Sequence, residues 1–375
     1  MSKLEELIEE LCPDGVEYKK VKEVFTRIKG TPITAGKMKE IASDDGDVRV
    51  FAGGKTVIDA FEKDIPNANI TRVPSVLVQS RGVIDVVFYE KPFTFKNEMW
   101  AYTHKERTMV KFLYYVLKDN VQVFRDAASG MGSLPQISLP VTEDFIIPIP
   151  PLSVQEEIVR ILDNFTDLTA ELQAELQARA KQYEYYTQTL LNKPIGNIYK
   201  LGEIATIKTG RKPDKIYEEL SQYEYINAGT SNSGYVNAYN CEGDTTTTPS
   251  RGQGGIGFVG YQSRDFWLGP LCYRIKSKNT DNVLNKYIYY YLKCFPEKIL
   301  QYKKEGGTPS INASDLINID IIVPSREEQE KIVTILNSFE SLTTNISEGL
   351  PAEIEARQKQ YEYYRNKLLT FKELG

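Results

Sequence analysis

The sequence predicts an α/β (α+β) protein in which two similar modules are joined by two long antiparallel coiled-coil helices. Two observations carry this prediction: a long helical segment occurs twice, and each copy follows a β-rich stretch of similar length. Residues 155–165 read QEEIVRILDNF and residues 329–339 read QEKIVTILNSF, while KQYEYY stands at both 181–186 and 359–364. This duplication predicts an internal pseudo-twofold repeat.

Each helical segment carries a narrow apolar seam. A single helix with such a seam usually packs on its own domain, but a matching second copy favours mutual antiparallel pairing. The steps of three and four residues are typical of a coiled coil. In the first copy the seam consists of Val154, Ile158, Ile161, Phe165, Leu168, Leu172 and Leu176.

The starts of these helices are also predicted. Ser153 with Glu156 matches the S-x-x-E pattern of a capping box, and Ser325 with Glu328 repeats it. In the second copy we expect a local break, with Pro351 beginning a fresh helical stretch.

The domain organisation that follows has four parts. Residues 1–150 and 193–325 form the two modules, and residues 151–192 and 326–375 form the two long helices. Weaker repeats link the modules, and each module ends in an apolar strand, FIIPIP or IDIIVP. Matching segments are 51–56 with 226–231, the Arg-Gly pairs at 81–82 and 251–252, the predicted helices at 111–117 and 286–292, and the loops at 130–138 and 306–312.

The composition narrows the class of protein. A chain of 375 residues is long for one core and suits two domains. No stretch approaches the ~18 to 20 apolar residues of a membrane span. The start, MSKLEELIEEL, lacks the features of a signal peptide, which predicts a cytoplasmic protein. The four cysteines form no C-x-x-C pair and there is one histidine, so the sequence predicts no zinc cluster or disulfide framework.

The net charge of −5 argues at first against a nucleic-acid partner. The helical segments 151–192 and 326–375 account for it, with 3 basic against 7 acidic and 7 basic against 9 acidic side chains. The modules are mildly basic, with 17 against 16 in residues 21–150 and 16 against 13 in residues 193–325. A stand-alone DNA-binding protein usually has a stronger basic patch. If the ligand is DNA, other subunits must supply most phosphate contacts.

Three patterns resemble enzyme motifs, but each lacks a part that its motif requires. A G-x-G-x-x-G match at 252–257 has no apolar strand before it and no helix after it. The Gly-Lys-Thr at 54–56 lacks the earlier glycine of a phosphate-binding loop, where Arg49 stands. His104 has no partner at ligand or triad spacing, which predicts a loop or surface histidine. No NPPY or DPPY tetrapeptide occurs, so we predict that the chain does not itself methylate a base.

Twice, a Gly-rich loop with a proline leads into an apolar strand and then into IPIPPLSVQEEIVRIL or IIVPSREEQEKIVTIL. In this order, and in its tyrosine-rich helix ends, the chain resembles the specificity subunit of a type I restriction-modification system. The resemblance covers essentially the whole chain. The helix starts are its specific part, and the interruption at 349–351 departs from a strict pattern.

The resemblance implies that each module is a target recognition domain, which reads one half of a bipartite double-stranded DNA sequence. It implies that the long helices pair, set the distance between the half-sites and dock two modification subunits. Those partners would bind S-adenosylmethionine and methylate adenine, and restriction subunits would add ATP-driven translocation and cleavage. The chain itself would be non-catalytic, without cofactor or metal.

Base reading needs hydrogen-bond donors and acceptors on loops that enter a groove. We therefore expect DNA contacts from polar loop residues of both modules, with the two matching arginines as the strongest pair. The candidates are Lys29, Thr31, Lys55, Thr56, Gln79, Ser80 and Arg81 in the first module, and Lys208, Arg211, Lys212, Thr230, Asn232, Arg251, Gln253, Tyr261 and Gln262 in the second.

Two other classes of function stay open at this stage. A duplicated scaffold could tether two modules that bind protein or glycan, and the net acidity slightly favours it. Salt-sensitive binding to duplex DNA in the presence of the partners would exclude that class. A self-contained methyltransferase is disfavoured by the missing tetrapeptide, and binding of S-adenosylmethionine by the purified chain would revive it.

Overall fold

The computed structural model describes residues 3–54, 56–128, 134–192, 195–252, 255–344 and 349–375. The chain forms two compact units: unit 1 consists of residues 1–171 and 354–375, and unit 2 of residues 172–353. Among the described helices, none is long and apolar enough to span a membrane.

Unit 1 begins with a short helix and alternates strands with helices until the long helix α7, which continues into unit 2. Its elements are α1 (Lys3–Leu11), β1 (Glu17–Lys20), α2 (Val21–Val24), β2 (Thr26–Ile28), α3 (Ala35–Ile41), β3 (Val48–Phe51), β4 (Val57–Ala60), β5 (Ser75–Gln79), β6 (Asp85–Tyr89), β7 (Phe93–Phe95), β8 (Trp100–Thr103), α4 (Arg107–Asp119), α5 (Val121–Asp126), α6 (Leu139–Glu143), β9 (Ile146–Ile149) and α7 (Leu152–Asn192).

Among the described residues, unit 2 repeats this order without counterparts of α1 and α3. Its elements are β10 (Gly196–Lys200), α8 (Leu201–Ile204), β11 (Ala205–Thr209), β12 (Tyr223–Ile226), β13 (Tyr235–Val236), β14 (Thr245–Pro249), β15 (Gly260–Gln262), β16 (Trp267–Leu268), β17 (Cys272–Ser277), α9 (Asn285–Cys294), α10 (Glu297–Leu300), α11 (Ala313–Leu316), β18 (Asp320–Pro324) and α12 (Arg326–Thr344). The last helix, α13 (Leu350–Leu369), lies almost wholly in unit 1.

The two units share one sheet topology. Unit 1 contains a four-stranded antiparallel sheet in the order β2-β8-β5-β6, and unit 2 contains β11-β17-β14-β15. A three-stranded sheet follows in each, β4-β3-β7 and β13-β12-β16, with the last two strands parallel. A two-stranded sheet precedes the long helix in each, β1-β9 and β10-β18. The predicted α+β class and internal repeat are confirmed.

The core of unit 1 lies between its four-stranded sheet, α4 and the start of α7. The core of unit 2 lies between its four-stranded sheet, α9 and the start of α12. In unit 1, Val76, Val78, Leu113 and Ile158 are fully buried there. Aromatic side chains fill much of both cores because their large rings bury more apolar surface than aliphatic side chains do. In unit 2 the corresponding residues include Ile275, Tyr287, Tyr290, Ile321 and Leu336.

Helix pairing within unit 1 is antiparallel. The ring of Phe165 in α7 contacts those of Tyr361 and Tyr364 in α13, with centroid distances of 6.3 and 5.8 Å. Leu369, at the end of α13, shares a buried cluster with Val154, near the start of α7. As α13 advances, its contacts therefore move back along α7, as antiparallel pairing requires.

Unit 2 shows the same arrangement with the other helix. Tyr183 and Tyr186 of α7 lie 6.4 and 5.3 Å from Phe339 of α12. Leu191, at the end of α7, shares a buried cluster with Ile332, near the start of α12. In both units, tyrosines of KQYEYY contact the phenylalanine that ends the repeated segment QEEIVRILDNF or QEKIVTILNSF.

The two predicted capping boxes have different outcomes. Ser325 precedes α12 and its hydroxyl accepts a hydrogen bond from the Glu328 amide at 3.3 Å, which is one of the two bonds of the predicted capping box. The prediction at Ser153 is wrong, because α7 already begins at Leu152 and the amides of Val154 and Gln155 donate to the Pro151 carbonyl. α13 begins at Leu350, one residue before the predicted Pro351, and residues 345–348 lie outside the described residues.

A buried strand of four threonines, β14, was not predicted. Three of its four hydroxyl groups donate to carbonyls inside the unit, among them Thr245 to Glu242 at 2.9 Å and Thr248 to Phe258 at 2.8 Å. Burial of a polar side chain costs little when its hydrogen bonds are replaced. In the described part of the chain, the G-x-G-x-x-G match at 252–257 is followed by a short strand, β15, and not by a helix. The match therefore does not have the context of a dinucleotide site.

Candidate functional site

Three loops meet at one end of the sheets of unit 1. Residues 52–54 and 56, residues 80–84 and residues 134–138 form what we call loop cluster 1. The Gly54 amide donates to the Arg81 carbonyl at 3.1 Å, and the Gly82 amide donates to the Pro135 carbonyl at 2.9 Å. The Ile137 amide donates to the Ser80 carbonyl at 2.9 Å. The backbone of these loops is therefore held by the fold.

The same loops meet in unit 2. Residues 227–232, residues 250–252 with 255–257, and residues 306–311 form loop cluster 2. The Gly252 amide donates to the Pro309 carbonyl at 3.1 Å, and the Ile311 amide donates to the Ser250 carbonyl at 2.9 Å. These bonds match those made by Gly82 and Ile137 in cluster 1.

Two glycines in matching positions shape these loops. Gly82 and Gly252 have φ angles of +77° and +134°, in the region that side chains with a Cβ rarely adopt. Each follows an arginine that forms an isolated antiparallel bridge, Arg81 with Gln136 and Arg251 with Ser310. The predicted alignment of the two Arg-Gly pairs thus corresponds to the same kind of bridge and the same amide hydrogen bond in both units.

Arg81 differs from the other arginines of unit 1. Within the described residues of that unit, its exposed guanidinium has no ion pair or hydrogen-bond partner. The others do: they bond to Glu143, Asp59, Glu62, Glu90, the Ile84 carbonyl, Glu157, Gln360 and Asp119. Arg251 is likewise exposed, and no acidic side chain in the described part of the chain pairs with it. An unpaired guanidinium keeps all five donors available to a ligand.

Burial separates the other predicted residues into groups. Six are exposed, three are half-buried, three are buried, and two lie outside the described residues. The exposed ones are Lys29, Thr56, Lys208, Arg211, Lys212 and Thr230; the half-buried ones are Asn232, Tyr261 and Gln262; the buried ones are Thr31, Gln79 and Ser80; Lys55 and Gln253 are not described.

Three of the predicted residues are buried in unit 1. The Thr31 hydroxyl is 2.7 Å from that of Thr94 and accepts a hydrogen bond from the Asn69 amide at 2.9 Å. The Ser80 hydroxyl donates to the Glu98 carbonyl. Gln79 is buried at the end of β5, opposite Asp85. These side chains therefore lie inside the unit, where they support the loops.

A cavity of about 390 Å³ in unit 2 brings together several predicted residues. Thr230, Asn232, Tyr261 and Gln262 all line it. The Tyr261 hydroxyl donates to Asp244, and burial together with that bond raises the pKa of Tyr261. The Lys286 ammonium lies 3.9 Å from the centre of the Tyr261 ring. This tyrosine is therefore fixed in position, and its ring forms one wall of the cavity.

Arg211 is exposed, but contacts with Trp267 and Leu268 hold it in position. Its guanidinium lies 5.3 Å from the centre of the Trp267 ring, and its carbonyl accepts a hydrogen bond from the Trp267 indole at 2.7 Å. The Arg211 amide donates to the Leu268 carbonyl at 3.1 Å. A cation over an aromatic face loses little further freedom when it binds a ligand.

The sequence analysis missed the residues that face the two arginines. Gln136 and Ser310 were in matching loops, but they were not proposed as site residues although each bridges its arginine. The internal repeat could have identified them, because they lie in loops that match between the two units. Among the described residues, no three histidine, cysteine or acidic side chains are grouped so that they could hold a metal ion.

Comparisons with known proteins agree with the internal repeat. Residues 13–182 and 197–356 match the type I restriction modification DNA specificity domain, once for each repeat. A type I restriction enzyme specificity subunit of Escherichia coli is 33% identical, and the match covers 86% of this chain and 87% of that protein. A putative type I restriction enzyme specificity subunit of Haemophilus influenzae is 32% identical, covering 73% of this chain and 77% of that protein.

Solved structures share the fold. The S subunit of a type I restriction-modification system from M. genitalium aligns with a TM-score of 0.67 at 20% identity, covering 94% of this chain and 95% of that one. A chain from a type I restriction-modification complex aligns with a TM-score of 0.50 at 16% identity, covering 96% of this chain and 98% of that one. From its two domain matches and its curated relatives, the chain belongs to the type I restriction-modification DNA specificity family.

Proposed function

We propose that this chain gives a type I restriction-modification complex its DNA sequence specificity. Loop cluster 1 reads one half of a bipartite target in duplex DNA, and loop cluster 2 reads the other half. The observation that carries the proposal is the repeated arginine. Arg81 and Arg251 occupy the same bridge in the two units, and neither has an acidic partner within the described residues. The family match supports this function over a scaffold for protein or glycan ligands.

Arginine suits this role because its guanidinium donates two parallel hydrogen bonds to the O6 and N7 atoms of guanine in the major groove. A guanidinium that is already paired with a carboxylate would have to break that pair first. The surrounding backbone is fixed by the hydrogen bonds of the Gly82 and Gly252 amides. We therefore assign the main base contact of each half-site to Arg81 or Arg251.

The other accessible candidates are proposed as supporting contacts. Arg211, held over Trp267, is placed to donate to a base or a phosphate. Thr230, Asn232 and Gln262 line the cavity beside Tyr261 and offer both donors and acceptors. Lys29, Thr56, Lys208 and Lys212 are exposed and offer further donors to the DNA, and Lys55 and Gln253 remain proposals of the same kind.

The long helices supply the second part of the function. We propose that they set the gap between half-sites and dock two modification subunits, with restriction subunits completing the complex in the cytoplasm. Tyr185 and Tyr363 support this: they occupy matching places in KQYEYY, and both are 64% exposed. Tyrosines at the surface are common anchors of protein interfaces. Two equal surfaces would suit two copies of one partner.

Catalysis is assigned to the partners. We propose that the chain is non-catalytic, and that S-adenosylmethionine and ATP bind to the modification and restriction subunits. A binding assay with S-adenosylmethionine on the purified chain checks this assignment, and saturable binding to the chain alone would reject it.

The proposed function is tested by mapping N6-methyladenine across the genome of a host that carries the partner genes, with and without this gene. The expected result is the loss of one asymmetric motif with an internal gap. If no motif is lost while the partners are expressed and intact, the chain does not direct methylation and the proposal fails.

A further inference from the structure

The four-stranded sheets of the two units differ at one place. β5 and β14 end at the same distance before the matching arginines, so the two strands align residue by residue. In unit 1, Leu77 of β5 lies opposite Val87 of β6. In unit 2 the corresponding pair is Thr247 of β14 opposite Gly260 of β15. Two apolar side chains are therefore replaced by a threonine and by a residue without a side chain.

In unit 1 this place is filled by apolar side chains. Leu77 is fully buried and belongs to a cluster with Phe51, Val87 and Tyr89. The rings of Phe51 and Tyr89 contact each other, with their centroids 5.2 Å apart. By the same register, Gln262 stands in unit 2 where Tyr89 stands in unit 1. An amide therefore replaces the ring that contacts Phe51.

In unit 2 the same place is part of the cavity of about 390 Å³ described above, because Thr247, Gly260 and Gln262 all line it. Thr247 is only 3% exposed, and in the described part of the chain its hydroxyl has no hydrogen-bond partner. The other three threonine hydroxyls of β14 donate to carbonyls. Buried polar groups in folded proteins are normally paired. A ligand inside the cavity would supply the partner that the fold does not.

The lining combines an aromatic ring with hydrogen-bonding groups. The Tyr261 ring is held by its bond to Asp244 and by the Lys286 ammonium, 3.9 Å from its centre. Gln262 offers an amide and Thr247 a hydroxyl, so both donors and acceptors are present. Proteins that bind a base outside the helix stack use an aromatic side chain beside it and hydrogen bonds to its edge. A base inside a duplex shows only its edge to the groove, so it does not enter such a cavity.

The charge of the lining favours a base that belongs to DNA over a free nucleotide. Among the described lining residues, the charged side chains are Glu224 and Lys293. The Lys293 ammonium is paired with Glu340 at 2.9 Å. The cavity therefore has no unpaired cation for the phosphates of a free nucleotide, whereas a base of the duplex enters without bringing its phosphate inside.

We propose that this cavity holds one nucleobase, taken out of the stack in the half-site that unit 2 reads. The base lies against the Tyr261 ring, and its edge pairs with the Thr247 hydroxyl and the Gln262 amide. Thr247 thereby becomes a specificity-determining residue of unit 2. Unit 1 reads its half-site without this step, since Leu77 and Val87 fill the corresponding place. That the base comes from target DNA rests on the proposed function.

The test uses the complete complex and duplexes that carry the target found by the methylation map. Each base of both half-sites is left unpaired in turn, opposite an abasic site. Extrusion of a paired base costs energy, so loss of its partner should tighten binding by about tenfold or more at the extruded position. The methylated adenine is scored separately, because methyltransferases extrude their own target base. We expect a gain at one further position.

Two variants connect that gain to the cavity. Thr247→Val removes the hydroxyl and keeps the shape, and Gly260→Val fills the cavity, since a Cβ atom there would lie 2.9 Å from the Thr247 hydroxyl. Both should abolish the gain. Thr246→Val is the control: its hydroxyl donates to the Asn285 carbonyl at 3.3 Å, and the residue does not line the cavity. Thr246→Val should lower the unfolding temperature and keep the gain, whereas Thr247→Val should unfold like the wild type because its hydroxyl has no bond to lose.

Other results would overturn the proposal. No gain at any position besides the methylated adenine, or a gain that Thr247→Val leaves intact, would show that the cavity holds no base of the target. Saturable binding of free adenosine, guanosine, cytidine or thymidine that Thr247→Val abolishes, without a gain in the duplex scan, would identify a free nucleoside as the occupant. If the genome map loses its gapped motif but the scan shows no gain, this inference fails and the proposed function stands. If no motif is lost, both fail.

Discussion

Tyr364 lies stacked on Phe165, with ring centroids 5.8 Å apart and an interplanar angle of 24°. Tyr186 lies on Phe339 in the same way, at 5.3 Å and 27°. In each pair, a tyrosine of a KQYEYY segment contacts the last residue of the other repeated segment, at 155–165 or 329–339. The helix pairing therefore depends on aromatic contacts that each unit makes within itself.

Replacing Phe165 with alanine should destabilise unit 1. The substitution removes a ring that contacts two tyrosines of α13, and loss of a half-buried aromatic side chain costs about 2 to 3 kcal/mol. The measurement is urea unfolding monitored by circular dichroism. Tyr363→Ala is the matched control, since Tyr363 is 64% exposed, and its midpoint should stay near wild type. Equal midpoints for both variants would show that the stacking does not stabilise the pair.

Glu340 should make the stability of unit 2 depend on pH. Its carboxylate accepts hydrogen bonds from Tyr289 at 2.6 Å and Tyr290 at 2.9 Å, and Lys293 pairs with it at 2.9 Å. Burial alone would raise the pKa of Glu340, but Tyr289 and Lys293 lower it to about 2.

Because this pKa is lower in the folded state, the carboxylate stabilises the fold fully above the ordinary pKa of 4.5, and the contribution is lost as pH falls towards 2. Glu340→Gln should therefore lower stability at pH 7 and flatten its fall between pH 5 and pH 2. Glu327→Gln, at an exposed residue of the same helix, is the control. A wild-type acid profile in Glu340→Gln would contradict the assignment.

Thr31 should prove structural. Thr31→Val removes a buried hydroxyl that bonds to Thr94 and Asn69, which costs about 1 to 3 kcal/mol. The methylated motif of the complex should not change, because the side chain does not reach the surface. Thermal unfolding and a methylation map of the same variant check both halves of this prediction. A changed base preference with unchanged stability would return Thr31 to the binding surface.

The helices should act as a ruler. Deleting residues 169–172 from α7 removes about 6 Å of helix and slightly more than one turn, so the gap between half-sites should shorten by roughly 1 or 2 base pairs. The half-site sequences should stay the same. A methylation map of the deletion variant tests this, and new half-sites with an unchanged gap would reject it.

Much of the fold could be predicted because the sequence states it twice. The long helices, the tyrosine-rich helices at 107–119 and 285–294 and the closing strands β9 and β18 all carry clear apolar patterns. β14 escaped prediction because threonine gives no hydrophobic period, and the carbonyls that accept hydrogen bonds from Thr246 and Thr248 belong to residues distant in sequence. The capping box predicted at Ser153 was wrong because α7 begins earlier, and the Pro151 carbonyl accepts hydrogen bonds from its first amides.

The site was harder to predict than the fold. Residue type identified Arg81 and Arg251, and their alignment placed them in matching loops. Residue type also selected Thr31 and Ser80, which are polar but buried, because exposure depends on neighbours such as Thr94 and Glu98 that the sequence does not place.

The central claim is that each unit reads its own half-site through one arginine. The most direct measurement is a methylation map of complexes that carry Arg81→Ala or Arg251→Ala, with Arg72→Ala, whose partner is Glu62, as the control. Each of the first two should relax one half-site only, a different one in each case, by roughly 5- to 150-fold in discrimination at one base pair. Arg72→Ala should leave both half-sites intact. Two intact half-sites in Arg81→Ala and Arg251→Ala, or the same half-site relaxed by both, would contradict the account.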